Sequence, residues 1–164
     1  MLRITSVSAP LNRPDLLAPA MSVVRRALGL GLLSERSRIE KLDLDLIRSI
    51  AQEASRLGVG QEAAGALLEP PRNARLPRLL ASLDASLADS PVPDREIAEL
   101  LRIYDHEQLA TLAGTSVASL RRYAAGTRTV PDAVAHRIHF IALVTSDLGG
   151  AYNEFGLRRW WDRP

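Results

Sequence analysis

The stretch LATLAGTSVASLRRYAAG, residues 109–126, constrains the fold more than any other part of the chain. Ala110 is small enough for two helices to cross closely. Gly114 follows four residues later, where a tight turn needs a backbone with positive φ. Leu120 and Tyr123 then return to a core, one helical turn apart. A small residue, a glycine turn and buried side chains in this order predict a helix-turn-helix hairpin.

Helical periodicity recurs along the rest of the chain. Only 4% of the residues are aromatic although 46% are hydrophobic, so the cores must be built from Leu, Ala, Ile and Val. The first 20 residues contain three prolines and are predicted to be irregular or only partly helical. The alternation in KLDLDL is too short to predict a sheet. Helices are predicted over about 21–33, 43–57, 61–68, 76–87, 94–101, 107–113, 116–125 and 131–148, with Pro70 and Pro71 ending the third. We therefore expect an all-α, multi-helix bundle.

The segment DSPVP, residues 89–93, is the best candidate for a linker. It divides the chain into an N-terminal helical region (1–90), a helix-turn-helix domain (91–150) and a short C-terminal segment (151–164). Before the linker, a stripe of leucines marks one face of a helix, comprising Leu76, Leu79, Leu80, Leu83 and Leu87. Such a stripe is typical of core packing, and a dimer interface is the alternative. The N-terminal region is the predicted dimerisation element, and Arg25, Arg26, Arg36 and Arg38 give it a possible second contact with DNA.

Positive charge is concentrated around the predicted hairpin. The basic residues between positions 108 and 146 are Arg121, Arg122, Arg128 and Arg137, and the only acid there is Asp132. The net charge of the whole chain is only +2, so this is a local excess rather than a property of the composition. A solvated helix face and a phosphate-binding surface both fit such an excess.

The second helix of the hairpin favours the phosphate-binding interpretation, because its outward positions carry small, polar or basic residues. Thr115 or Ser116 can cap this helix. Small side chains allow its N-terminal end to approach base edges, and Ser and Arg can donate hydrogen bonds to bases or phosphates. The loop AGTRTVP would lie beside the sugar-phosphate backbone. The predicted DNA-binding residues are Gln108, Thr115, Ser116, Val117, Ala118, Ser119, Arg121, Arg122, Thr127 and Arg128.

From residue 109 to its end, the chain resembles the DNA-binding half of the Xre/ParS-type antitoxins, particularly those of high-GC actinobacteria. The segment LEPPRNARLPRLLASLDASLADSPVP resembles the region that precedes this half in longer members. The presence of 20 Arg and a single Lys suits such a genome. The block GLRRWWDRP is the more specific part of the resemblance.

In that family this block opens a C-terminal toxin-binding domain, which usually continues into a Leu-Gly-Gly and Pro-Leu segment. The resemblance therefore implies that residues 151–164 are the start of a truncated toxin-binding segment. It also implies a toxin partner, of the RES type for example. Trp160 and Trp161 are the candidate partner-binding residues, although covering of a core or self-association is the favoured role for them.

No arrangement for catalysis is evident, because no Ser or Asp nucleophile has an oriented base. The chain has no Cys, which excludes disulfides, thiolate metal sites and a Cys nucleophile. His136 and His139 lie near the same face of a helix, but no further ligand joins them, so a structural or phosphate-facing role is favoured over a metal site. We expect no enzyme, no cofactor and no metal. No apolar run is long enough to span a membrane, and a cytoplasmic location is expected.

The sequence thus predicts a DNA-binding transcriptional repressor or antitoxin-like autorepressor that contacts two half-sites of double-stranded DNA as a homodimer. The alternative is a protein-interaction module, such as a toxin-binding antitoxin, in which the helical hairpin is purely structural. A positive surface centred on Arg121, Arg122 and Arg128 would favour the first, and a neutral apolar surface the second.

Overall fold

A computed structural model describes residues 4–33, 39–69 and 75–161. Within these ranges it contains nine helices and one two-stranded sheet, which confirms the predicted all-α class. Pro70, Pro71, Arg36, Arg38 and the final residues of the GLRRWWDRP block lie outside the described residues. The strands are β1 (Ser6–Val7) and β2 (Lys41–Leu42). The helices are α1 (Pro14–Gly29), α2 (Leu44–Arg56), α3 (Gln61–Leu68), α4 (Leu76–Asp89), α5 (Pro93–Leu100), α6 (His106–Ala113), α7 (Val117–Ala124), α8 (Asp132–Leu148) and α9 (Glu154–Trp160).

The chain divides into two compact units, with the break between Ser90 and Pro91, inside the predicted linker. The first unit comprises residues 1–28 and 32–90. The second comprises residues 91–164 together with the short segment 29–31. The residues predicted as a separate C-terminal segment cluster with the helix-turn-helix region in this second unit.

The first unit begins with more regular structure than its prolines predict. Helix α1 starts at Pro14 and not near residue 21, because a proline is well tolerated in the first turn, where its missing N–H has no helical partner. Pro19 lies inside the helix, where its missing N–H removes a helical hydrogen bond. The pair KL of KLDLDL forms β2, which pairs in parallel with β1, so a minimal sheet exists where none was predicted.

Helix α2 follows its sequence signals closely. The carboxylate of Asp43 accepts a hydrogen bond from the backbone N–H of Leu46 at 3.0 Å and so caps the helix. Ile47, Ile50 and Ala54 are buried on one face, as their spacing predicts. Gly58 has φ +80 and ends this segment. Helix α3 packs against both α2 and α4.

The leucine stripe of α4 packs inside the first unit. Leu76, Leu80, Leu83 and Leu87 all have 0% of their surface exposed within a single chain. Leu79 is half-buried. Because the four buried leucines already have neighbours in their own chain, they are not available as a dimer interface, and the core interpretation of the stripe is the correct one.

The second unit is built on contacts among α5 to α8, with α5 and α6 each packing against both α7 and α8. Helix α5 starts at Pro93 with Val92 as its capping residue, so the predicted cap Asp94 lies in the first turn instead. The core includes Ile97, Leu109 and Ile138, all fully buried.

Helix α9 belongs to the same unit. Asn153 caps it by accepting a hydrogen bond from the N–H of Gly156 at 2.9 Å, and Leu157 is buried. After the helix, Trp161 donates its indole N–H to the hydroxyl of Tyr104 at 2.9 Å. That hydroxyl also shares a hydrogen bond with Thr145 at 2.9 Å. Trp161 therefore uses its polar atom inside the chain, which favours core covering as the role of this tryptophan.

Across the described residues, no helix combines the length and the apolar character needed to cross a membrane.

Candidate nucleic-acid interface

The turn between α6 and α7 depends on Gly114. This residue ends α6 with φ +64 and ψ 39, a left-handed conformation that other residues adopt only at a cost. Its N–H and that of Thr115 donate to backbone oxygens of α6, including that of Ala110. A Cβ on Gly114 would collide with Nη1 of Arg137, so the guanidinium group of this α8 residue lies directly over the turn.

Helix α7 is capped by Ser116. The residue has an extended backbone, and its hydroxyl accepts a hydrogen bond from the N–H of Ser119 at 3.1 Å. Leu120 and Tyr123 are buried and hold the helix against α5 and α6. The two halves of the hairpin are thus fixed by the residues that the sequence pattern singles out.

The other side of α7 faces solvent. Ser116, Ala118, Arg121 and Arg122 are exposed, and Val117 is half-buried. Only small side chains occupy the first turn of this surface, and the two arginines follow one turn later. A surface of this shape allows the helix end to approach a flat or grooved partner closely.

Two guanidinium groups converge beside this surface on the hydroxyl of Ser119. Nη2 of Arg122 lies 3.5 Å and Nη1 of Arg128 lies 3.4 Å from Oγ of Ser119. The hydroxyl of Ser116 donates to the same oxygen at 3.0 Å. Distances of 3.4–3.5 Å are at the long end for hydrogen bonds, so the two arginines are held near each other but loosely. The guanidinium carbon of Arg128 also lies 5.7 Å from the centre of the Tyr123 ring, within range of a cation–π contact.

Several other arginines pair with a carboxylate within the described residues. In the part of the chain that the structure describes, no ion pair joins Arg121, Arg122, Arg128 or Arg137 to a carboxylate. By contrast, Arg26 pairs with Asp84 at 2.8 Å in the first unit. Arg26 is therefore already neutralised by a neighbour, which weakens the idea that this arginine contacts DNA.

The predicted site residues do not all lie together. Ser116, Ser119, Arg122 and Arg128 form one connected group, and Thr127 joins it by donating its hydroxyl to the carbonyl of Arg122 at 3.2 Å. Thr115, Val117, Ala118 and Arg121 lie on or next to the same helix. Gln108 is directed elsewhere, because its side-chain amide donates to the carbonyl of Arg158 in α9 at 2.8 Å.

Arg137 is the residue that sequence reasoning left out of the site. It is exposed on α8, and its guanidinium group reaches the turn at Gly114. The concentration of positive charge in the sequence includes Arg137, but its distance from the turn depends on how α8 packs against α6. The sequence around Arg137 does not show how α8 packs against α6.

His136 and His139 each use a ring nitrogen within the chain. Nδ1 of His139 lies 2.5 Å from Oε1 of Glu96, and both side chains are buried between α5 and α8. Nδ1 of His136 contacts the backbone oxygen of Asp132 at 2.8 Å. Among the described residues there is no group of three or more side chains suited to hold a metal ion.

The chain matches no protein-family model, no curated protein and no solved structure, so a proposal for its function rests on this geometry and on the sequence.

Proposed function

We propose that the second unit binds double-stranded DNA by placing the N-terminal end of α7 in the major groove. One observation carries the proposal. Arg121, Arg122, Arg128 and Arg137 lie on or beside α7, whose exposed first turn carries small residues, and none has a carboxylate partner in the described parts of the chain. A surface with uncompensated cations and room for a close approach fits the phosphate-lined groove of a duplex.

The proposal gives different roles to the residues of α7 and to Arg137 of α8. Ser116, Val117 and Ala118 are at the helix start and would meet base edges, where a valine or alanine can contact a thymine methyl group. Arg121 is exposed and is not part of the group around Ser119, so it is free to donate two hydrogen bonds to a guanine. Arg137 would contact a phosphate from the side of the turn.

Binding of this kind suits a transcriptional repressor, which occupies an operator and blocks access to it. Two half-sites bound by a homodimer are the usual arrangement for a helix-turn-helix protein. The role as an antitoxin-like autorepressor, and the RES-type toxin as its partner, stay predictions that rest on the resemblance to Xre/ParS antitoxins. With the leucine stripe of α4 buried, a dimer must use another surface.

Selection of duplexes from a random pool, followed by fluorescence anisotropy on the selected sequence, tests the proposal. We expect the protein to enrich a defined sequence. We also expect the double variant Arg121→Ala, Arg122→Ala to lose selective binding while its circular dichroism is unchanged. The control is the double variant Arg158→Ala, Arg159→Ala, which removes the same two charges from exposed positions on α9. A folded double variant that still selects the same sequence as the wild type would refute the assignment of α7.

A protein-interaction module is the second candidate, and the exposed aromatic residues favour it. Phe140 is 59% and Phe155 62% exposed, and the guanidinium carbon of Arg159 lies 5.6 Å from the centre of the Phe155 ring. Exposed aromatic residues are enriched where proteins bind one another. If this is the sole function, the wild type shows no salt-dependent binding to any duplex, and the variants of α7 behave like the wild type.

A further inference from the structure

Two arginines from different parts of the backbone converge on one serine hydroxyl. Arg122 is in the last turn of α7, whereas Arg128 is in the loop that follows it. Both place a guanidinium nitrogen within 3.5 Å of Oγ of Ser119. The loop must fold back along the helix to bring Arg128 there, and Gly126 permits this reversal with φ +65.

The two guanidinium groups both approach the same hydroxyl oxygen, so their like charges repel each other, and an anion beside both would offset this repulsion. No carboxylate pairs with either arginine in the described ranges. The contact of Arg128 with the Tyr123 ring helps to keep its charge in place. The geometry therefore leaves two neighbouring positive groups able to bind an anion that the described residues do not supply.

We propose that Arg122 and Arg128 together bind a single phosphate of the DNA backbone, with Ser119 as the residue that positions them. This inference rests on the proposed function and refines it. A phosphodiester offers two unesterified oxygen atoms, and each planar guanidinium group can donate hydrogen bonds to one or both of them. Arg121 is then the arginine of α7 that reads a base, and Arg122 contributes affinity without sequence preference.

A salt titration on a short random-sequence duplex measures how many phosphates are involved. The slope of log affinity against log salt changes by about 0.9 for each phosphate contact on duplex DNA. If Arg122 and Arg128 share one phosphate, the double variant Arg122→Ala, Arg128→Ala flattens the slope by about 0.9. If they bind separate phosphates, the double variant flattens it by about 1.8, and the proposal is wrong.

The affinities of the same variants provide a second test. Since either arginine alone leaves an incomplete phosphate site, we expect the loss in the double variant to be smaller than the product of the two single losses. Arg158→Ala serves as the charge-matched control and should combine multiplicatively with either single variant. Multiplicative losses for Arg122→Ala and Arg128→Ala would contradict a shared phosphate.

The role of Ser119 is tested by measuring the same single and double arginine variants in two further backgrounds, Ser119→Ala and Ser119→Thr. In Ser119→Ala the hydroxyl is absent, so the losses for the two arginines should become multiplicative. In Ser119→Thr the hydroxyl is kept, so the losses should stay smaller than their product. A residue that only stabilises the helix would weaken all variants equally and leave the coupling unchanged, and this outcome would overturn the positioning role.

The outcomes separate the two proposals. A wild-type protein that binds no duplex in a salt-dependent manner refutes DNA binding itself. A wild-type protein that binds duplexes, with two independent arginines, refutes only the shared phosphate.

Discussion

At the scale of single residues, Gly114 has the positive φ that the predicted turn of the hairpin requires. We expect Gly114→Ala to destabilise the second unit by about 1–2 kcal/mol, the cost of a left-handed backbone for an L residue. The Cβ would also displace Arg137, but the displaced atom is the free end of a long side chain, so strain in φ dominates. Urea unfolding followed by tryptophan fluorescence measures this, because both tryptophans belong to that unit.

Gly126→Ala is the matched control, since Gly126 has φ +65 and no atom that a Cβ would meet within 4 Å. The two variants should lose similar stability, and Gly114→Ala should cost the same in an Arg137→Ala background. A loss at Gly114 that exceeds the loss at Gly126 severalfold, and disappears without Arg137, would show that the collision dominates instead.

Asp43 is a second residue whose role, capping α2, follows from its position just before that helix. A hydrogen bond from Lys41, and then the backbone N–H of Leu46, lower the pKa of Asp43 below its ordinary value of 3.8. Because the folded protein holds the carboxylate in its charged form, the stabilisation is complete above the unfolded pKa and is lost as the pH falls through the folded pKa. An NMR titration of the carboxyl group should give a pKa below 3.8, and Lys41→Met should raise it. A pKa at or above the ordinary value would contradict this account.

At the scale of elements, periodicity predicts which residues share a face but not what covers that face. Helices α3, α6 and α7 have bounds within about one residue of those predicted, because capping residues and glycines mark their ends. Helix α9 was not predicted, since its single buried residue, Leu157, gives no repeating pattern. The leucines of α4 have the same spacing whether they pack in a core or in a dimer, and only the fold distinguishes the two.

Because the leucine stripe of α4 is buried, shortening one of its side chains should destabilise the fold. Leu83→Ala should lower the free energy of unfolding by about 2–5 kcal/mol, because a fully buried leucine leaves a cavity. Leu68→Ala is the control, since Leu68 is 47% exposed and should cost far less. Circular dichroism in urea measures both, and sedimentation velocity reports the oligomeric state. A Leu83→Ala variant that keeps its stability but dissociates from a dimer to a monomer would restore the dimer interpretation.

At the scale of the whole molecule, the candidate site depends on contacts that the sequence cannot display. The capping role of Ser116 and the burial of Leu120 follow from spacing alone. The contact of Arg128 with Ser119 needs a loop reversal, and Gln108 is turned towards α9 by a hydrogen bond to a residue 50 positions away. The buried pair of Glu96 and His139 joins two helices in the same way. Long-range packing therefore decides which polar side chains remain free for a partner.

The distribution of charge leads to the last prediction. A net charge of +2 is too small to drive tight binding to DNA, so the proposed function requires that the arginines around α7 supply the electrostatic attraction. Arg137→Ala should weaken binding to the selected sequence and to random duplex by similar factors and flatten the salt slope by about 0.9, as expected for one phosphate contact. Arg121→Ala should instead cost about 1–3 kcal/mol on the selected sequence and relax discrimination at one base pair. Salt titrations of both variants on both duplexes separate these effects. If Arg137→Ala changes the preferred sequence while the salt slope stays the same, Arg137 faces a base rather than a phosphate, and the proposed orientation of the hairpin on DNA is wrong.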